Sequence, residues 1–292
     1  MDGARKDWLL VFVLLLGGAG LAGCAGLATM RTAPGTGFDA GGPPPARFVG
    51  YWDGWQKNDL TGVPSGVTEI PIAFGFLHGH TITHKGGIDP GYVTAADIAS
   101  LHARGIFVTL SLGGWSPRTS FVFDGDVGGF DRSLARVLAT LPLDGVDFDL
   151  EHGSTASRVR TLTTLIPAAR AYFDEIGRPD AIVTYPAFNT PGEYGDDQIL
   201  ENASVSSALS WVDVMSYQHG DVAKTESDVA AYGAIFDRSR IVAGVDIDDK
   251  PIPTNASLGS LAAWVRANGY GGVMAWTVNS IAKAQLNAIT GR

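Results

Sequence analysis

The stretch Asp144-Gly145-Val146-Asp147-Phe148-Asp149-Leu150-Glu151 alternates acidic and apolar residues with a period of two. Side chains of an extended strand point to opposite faces in turn. Asp147, Asp149 and Glu151 therefore share one face, and Val146, Phe148 and Leu150 share the other. The apolar face needs a hydrophobic layer against it. Burying three carboxyls in a row costs several kcal/mol unless they share protons, bind a cation or accept hydrogen bonds. A strand covered outside by helices and facing a shared interior satisfies both faces, and that is the geometry of a closed barrel.

Seven further runs supply the other strands: Phe48–Tyr51, Ile70–Phe76, Ile106–Leu112, Ala181–Tyr185, Trp211–Tyr217, Ile241–Val245 and Gly272–Trp276. Most are nearly continuous in apolar character, as strands buried on both faces are. Helical patterns lie between most of them. Thr94 and Asp97 have capping-box spacing ahead of a helix that stops at Gly105. A long amphipathic segment runs from Ser154 to Ile176 before Gly177, and another from Ser257 to Asn268 before Gly269. Strand and helix alternating over residues 47–292 match the size of a (β/α)8 TIM barrel, about 250 residues. A doubly wound open sheet would want a glycine-rich phosphate turn after its first strand, and Tyr51-Trp52-Asp53-Gly54-Trp55 is no such turn. Residues 248–270 hold little beyond one loop and one helix, which leaves no room for an α+β insertion domain. The expected fold is a single-domain α/β barrel with a shallow, open groove.

Composition agrees with a packed enzyme-sized domain. The chain has 292 residues, is 45% hydrophobic and 17% charged, and carries a formal charge of −9. No basic run exceeds Arg5-Lys6, so no nucleic-acid partner is expected. The lone cysteine, Cys24, excludes a disulfide framework within the chain. It follows Arg5-Lys6, an apolar run from Trp8 to Leu16 and a string of small residues, the order of an export signal. Leu21-Ala22-Gly23-Cys24 resembles the bacterial lipobox, whose cysteine is lipidated. Residues 1–24 are thus read as a lipoprotein signal segment, with an uncleaved anchor over Trp8–Leu27 as the alternative. Residues 25–46, rich in Gly and Pro, form a linker, and residues 47–292 form the domain. The expected location is outside the cytoplasm, lipid-anchored to the cell membrane or outer membrane.

At the level of residues the acidic strand leaves two chemistries open. Carboxylate oxygens suit magnesium or calcium. Closely spaced carboxyls also cannot all ionise, which keeps one protonated near neutral pH as a general acid. His78, His80 and His84 lie in a Gly- and Thr-rich loop and read as solvated histidines. No metal or cofactor is expected. Ser111 lacks the G-x-S-x-G elbow of a serine nucleophile.

Asp144-x-x-Asp147-x-Asp149-x-Glu151 matches in full the D-x-x-D-x-D-x-E signature of glycoside hydrolase family 18, the chitinases and endo-β-N-acetylglucosaminidases. Ser111-Leu112-Gly113-Gly114 is similar to the S-x-G-G of that family's third strand, and Met215-Ser216-Tyr217 to the M-x-Y of its sixth. Gly271-Gly272-Val273-Met274-Ala275-Trp276 resembles its eighth strand, and Tyr51 and Ala73-Phe74 fall where its first two strands carry aromatics. The stretch Asp147–Thr155, ending Glu151-His152-Gly153-Ser154-Thr155, looks most like the hevamine-type branch. The resemblance implies a retaining hydrolase of β-1,4-linked N-acetylglucosamine in which the substrate's acetamido group is the nucleophile. Glu151 would be the acid, Asp149 the group that orients the acetamido nitrogen, Asp147 its proton-sharing partner, and Tyr217 a donor to the acetamido oxygen. Trp276, Tyr51, Phe74, Met215, Trp115 and Gln218 would contact sugar. Gln218 replaces the family's usual Asp or Asn, and Tyr185-Pro186 replaces a commoner Ala-Pro. Chitin or chito-oligosaccharide is the first substrate, and a monomer is expected. N-glycans or cell-wall glycan are alternatives. A chitinase-like lectin is a further reading, against which the retained Glu151 weighs.

Overall fold

The computed structural model describes residues 47–54, 59–83, 93–115, 120–218, 221–248 and 251–291. Cys24, the signal segment and the linker lie outside the described residues, as does His84. Eight strands form the frame: β1 (Arg47–Gly50), β2 (Glu69–His78), β3 (Phe107–Gly113), β4 (Gly145–Asp149), β5 (Ile182–Phe188), β6 (Trp211–Met215), β7 (Ile241–Asp246) and β8 (Gly272–Trp276). Each pairs in parallel with its chain neighbour, and β1 pairs with both β8 and β2, through Arg47–Gly272 and Val49–Glu69. The sheet therefore closes on itself as a (β/α)8 barrel.

The connections carry α1 (Ala95–Ala103), α2 (Val127–Thr140), α3 (Thr155–Glu175), α4 (Asp196–Leu200), α5 (Ala203–Ala208), α6 (Val222–Tyr232) and α7 (Asn255–Ala267), and α8 (Lys283–Thr290) follows β8. Between β1 and β2 the described chain has no α-helix, only the two-residue strand Trp52–Asp53 and a short 3-10 turn, Leu60–Gly62. Helix starts follow the local chemistry. Thr94 and Asp97 make the reciprocal capping box at α1, and the Ser154 side chain accepts from the Ser157 N–H at α3. Helix α7 begins two residues before the expected Ser257, because Thr254, rather than a later residue, caps it by accepting from the Ser257 N–H. Gly177, past the end of α3, has φ 74°, a conformation that glycine adopts without steric cost.

The period-two reading of the acidic strand holds in three dimensions. Val146, Phe148 and Leu150 belong to one apolar cluster with Leu162, Leu165 and Ile166 of α3. Asp147 and Asp149 are buried on the opposite face. Asp144 pins the strand entry: its Oδ2 accepts from the Val108 N–H at 2.7 Å and bonds His102 of α1 at 2.8 Å. Between β7 and β8 the described chain holds α7 and no α+β insertion. The C-terminal mouth of the barrel is accordingly not walled on that side by an added domain.

Candidate active site

The residues that alternate inward from the strands are polar to an unusual degree. Glu69, Thr109, Ser111, Asp147, Asp149, Thr184, Asp213 and Asp246 are all buried, as is Arg47 at the floor. Apolar side chains fill the remaining interior: Val49, Phe76, Phe107, Ile182, Trp211, Val242 and Met274. Of the groups expected to act, Tyr51, Phe74, Met215, Tyr217 and Trp276 pack together in this interior.

Asp147 is held by three hydroxyls. Tyr51 and Ser111 donate to its Oδ2 at 2.9 and 2.6 Å, and Thr184 donates to its Oδ1 at 2.7 Å. Burial pushes this carboxyl up, and the hydroxyls pull it back part of the way. Asp149, one inward position higher, has no hydrogen-bond partner at Oδ1. Burial, then the charges of Glu151 and Asp147, push it well above the usual carboxylate range. Glu151 stands just past the end of β4, in a turn closed by Leu150 N–H donating to the Phe148 carbonyl at 3.1 Å. Burial raises it to about 7, against the opposing charge of Arg158.

Tyr217, half-buried after β6, is held protonated by burial and then by the charges of Asp149 and Glu151. Its hydroxyl is thus a donor throughout the working pH range. Trp276 stacks on Phe74 with ring centroids 5.5 Å apart and planes 15° apart, and meets Tyr51 at 5.8 Å. Peptide bonds Ala73–Phe74 and Trp276–Thr277 are cis. Trp115, 63% exposed, lies at the rim with its ring 4.9 Å from His152.

Gln218 is placed differently. Its Nε2 donates to Asp228 of α6 at 3.0 Å, beside Ser216, which donates to the same oxygen at 2.7 Å. The amide is engaged there and not with the carboxyls on β4.

Sequence reasoning passed over Glu69, Asp213 and Arg158. The signal for Asp213 was available: in Trp211-Val-Asp213-Val-Met215 it alternates with two outward valines. Both of its oxygens are without a hydrogen-bond partner. Burial and the charge of Asp147 push it well up, with Arg47 opposing. Among the described residues no group of three or more His, Cys, Asp or Glu is arranged to hold a metal ion. The arrangement is one that can keep a carboxylic acid neutral near pH 7, share protons down a file of carboxyls, and offer an aromatic floor.

The fold is shared with solved chitinases. A GH18 chitinase from Pseudoalteromonas aurantia superposes with TM-score 0.67 at 17% identity, covering 84% of this chain and 99% of its own. A chitinase from Rhizomucor miehei gives 0.66 at 17% identity, covering 84% and 99%. The class V chitinase from Nicotiana tobaccum gives 0.66 at 14% identity, covering 84% and 98%. A sequence comparison with curated proteins gives no match. The model of the family described as glycosyl hydrolases family 18 matches residues 47–248, from the first barrel strand past the end of the seventh. That span takes in more than half of the chain and every residue of the carboxyl file, so the chain belongs to glycosyl hydrolases family 18 and is a glycoside hydrolase.

Proposed function

We propose that this protein cleaves β-1,4 linkages of N-acetylglucosamine polymers, chitin or chito-oligosaccharides first, with retention and with the substrate's own acetamido group as nucleophile. The observation that carries the reading is the file Asp147–Asp149–Glu151 ending in a carboxyl at about 7, beside a Tyr217 that stays protonated. Glu151 protonates the glycosidic oxygen. The acetamido carbonyl then attacks the anomeric carbon, in the substrate-assisted scheme that sets this family apart from two-carboxylate glycosidases. Asp149 orients the acetamido N–H and balances the oxazolinium charge. Asp147, already saturated with hydroxyl donors, takes or returns the proton that Asp149 shares with it. Tyr217 donates to the acetamido oxygen, and Trp276 lies under the sugar ring. A class V chitinase of the same fold has been solved in complex with NAG4, which supports an N-acetylglucosamine oligomer as the ligand class.

The test is hydrolysis of a soluble fluorogenic chitotrioside and of longer chito-oligomers, followed by product analysis. The lack of an insertion between β7 and β8 in the described chain predicts endo-cleavage with mixed early products. Disaccharide alone from the first time points contradicts that prediction. Inactivity on chito-oligomers together with release of N-glycans from a glycoprotein would move the assignment to an endo-β-N-acetylglucosaminidase.

The acid must carry its proton to work. The kcat/KM of chitotrioside hydrolysis is therefore expected to fall as pH rises through about 7, about ten-fold per pH unit beyond it. A profile flat to pH 9 would mean that Glu151 is not the titrating acid. We also propose that Cys24 carries a lipid anchor that holds the domain outside the cytoplasm, with residues 25–46 as its stalk.

A further inference from the structure

Arg158 of α3 lies behind the catalytic strand with its side chain 1% exposed. Its Nε donates to the carbonyl of Leu150, the residue immediately before Glu151, at 3.0 Å. Its Nη2 donates to the Tyr185 hydroxyl at 2.8 Å and to Asp196 Oδ1 at 3.0 Å. Its Nη1 donates to the Tyr194 carbonyl, and its guanidinium carbon lies 4.6 Å from the Phe188 ring centre. Asp196 is locked in turn by the Phe188 N–H at 2.8 Å and the Tyr232 hydroxyl at 2.9 Å. One guanidinium thus joins the backbone that bears the acid to the β5–α4 connection. A buried ion pair adds little stability over an apolar pair of the same volume. That leaves the arm reaching Leu150 to be explained by something other than stability.

We propose that Arg158 is a positioning residue for the reaction: it fixes the chain carrying Glu151 and supplies the positive field that Glu151 and Asp149 experience. This rests on the acid assignment above. Glu151 is faced by Asp149 from β4, by Tyr217 from the end of β6 and by Arg158 from α3. Arg158 is faced by Tyr185 and Asp196, and Tyr232 stands beyond Asp196. It is the cation in this set, and it opposes the effect of burial on both Asp149 and Glu151.

Arg158→Met alone would strand Asp196 in the interior, so the informative variant is Arg158→Met/Asp196→Asn, which removes both charges. Its kcat on chitotrioside is expected to fall about ten-fold, with KM within about two-fold, because the acid is displaced and not the sugar floor. The alkaline limb of its kcat/KM profile should move up by about half a pH unit, since a lost cation makes Glu151 harder to ionise. Asp196→Asn keeps the cation and loses its counter-charge, so its limb should stay in place or move down. An unmoved limb in the double variant, or limbs rising alike in both variants, would overturn the proposal. Glu151→Gln serves as the control: if that variant retains turnover, the acid assignment has failed, whatever the Arg158 variants do.

Discussion

A Glu151→Gln variant is expected to lose about 10²–10⁴-fold in kcat, the range that a positioned general acid contributes. Glutamine has the same shape and nearly the same volume, and it cannot donate a proton to the leaving oxygen. Chito-oligomer affinity, read by calorimetry, should persist, because Tyr217, Trp276 and Phe74 are untouched. The melting temperature should hold or rise, since a half-buried carboxyl raised to about 7 is replaced by a neutral amide. Retention of more than about a tenth of wild-type kcat would place the acid elsewhere.

Removing the acetamido group, the proposed nucleophile, from the substrate should have an effect of similar size. Fully deacetylated chitosan has no acetamido carbonyl to attack, and its loss should cost about 10³-fold or more, the scale of an oriented intramolecular reaction. Asp149 is not expected to substitute as a nucleophile. It ends β4 two residues before Glu151, and in the proposed scheme it lies beneath the sugar rather than across from the acid. A thiazoline mimic of the oxazoline should inhibit competitively, as mimics of intermediates do. Ready cleavage of chitosan, or an α-anomer among the earliest products by NMR, would mean that water or a carboxylate attacks directly.

Much of this site was legible because strands write their two faces into the sequence separately. Val146, Phe148 and Leu150 fixed the outward face of β4, and that alone sent Asp147 and Asp149 inward. The same rule applied to Trp211–Met215 would have found Asp213, but one acid among apolar neighbours is a weak signal beside three in register. Arg158 was illegible for a different reason. It sits in a helix where an arginine usually faces water, and only the tertiary approach of Leu150, Tyr185 and Asp196 makes it a buried hub. Gln218 shows the same limit. Its position after Met215-Ser216-Tyr217 suggested the sugar, and only the fold adds that its amide bonds Asp228 of α6. The helix start at Asn255 was missed by two residues because Thr254 and Ser257 are both plausible caps by type.

The inward carboxyls have a thermodynamic consequence for the chain as a whole. Burial leads the causes that push Glu69, Asp149 and Asp213 well above their ordinary range. The unfolded chain would release these protons near pH 4, whereas the folded barrel keeps them. Folding above that pH is therefore an uptake of protons. Each carboxyl still protonated in the barrel and ionised in the coil makes stability fall by about 1.4 kcal/mol per pH unit as pH rises, until its folded value is passed. The contribution is complete below about pH 4 and erodes upward. Alkali thus acts twice on this protein, ionising Glu151 past the end of β4 and loosening the wall that holds it.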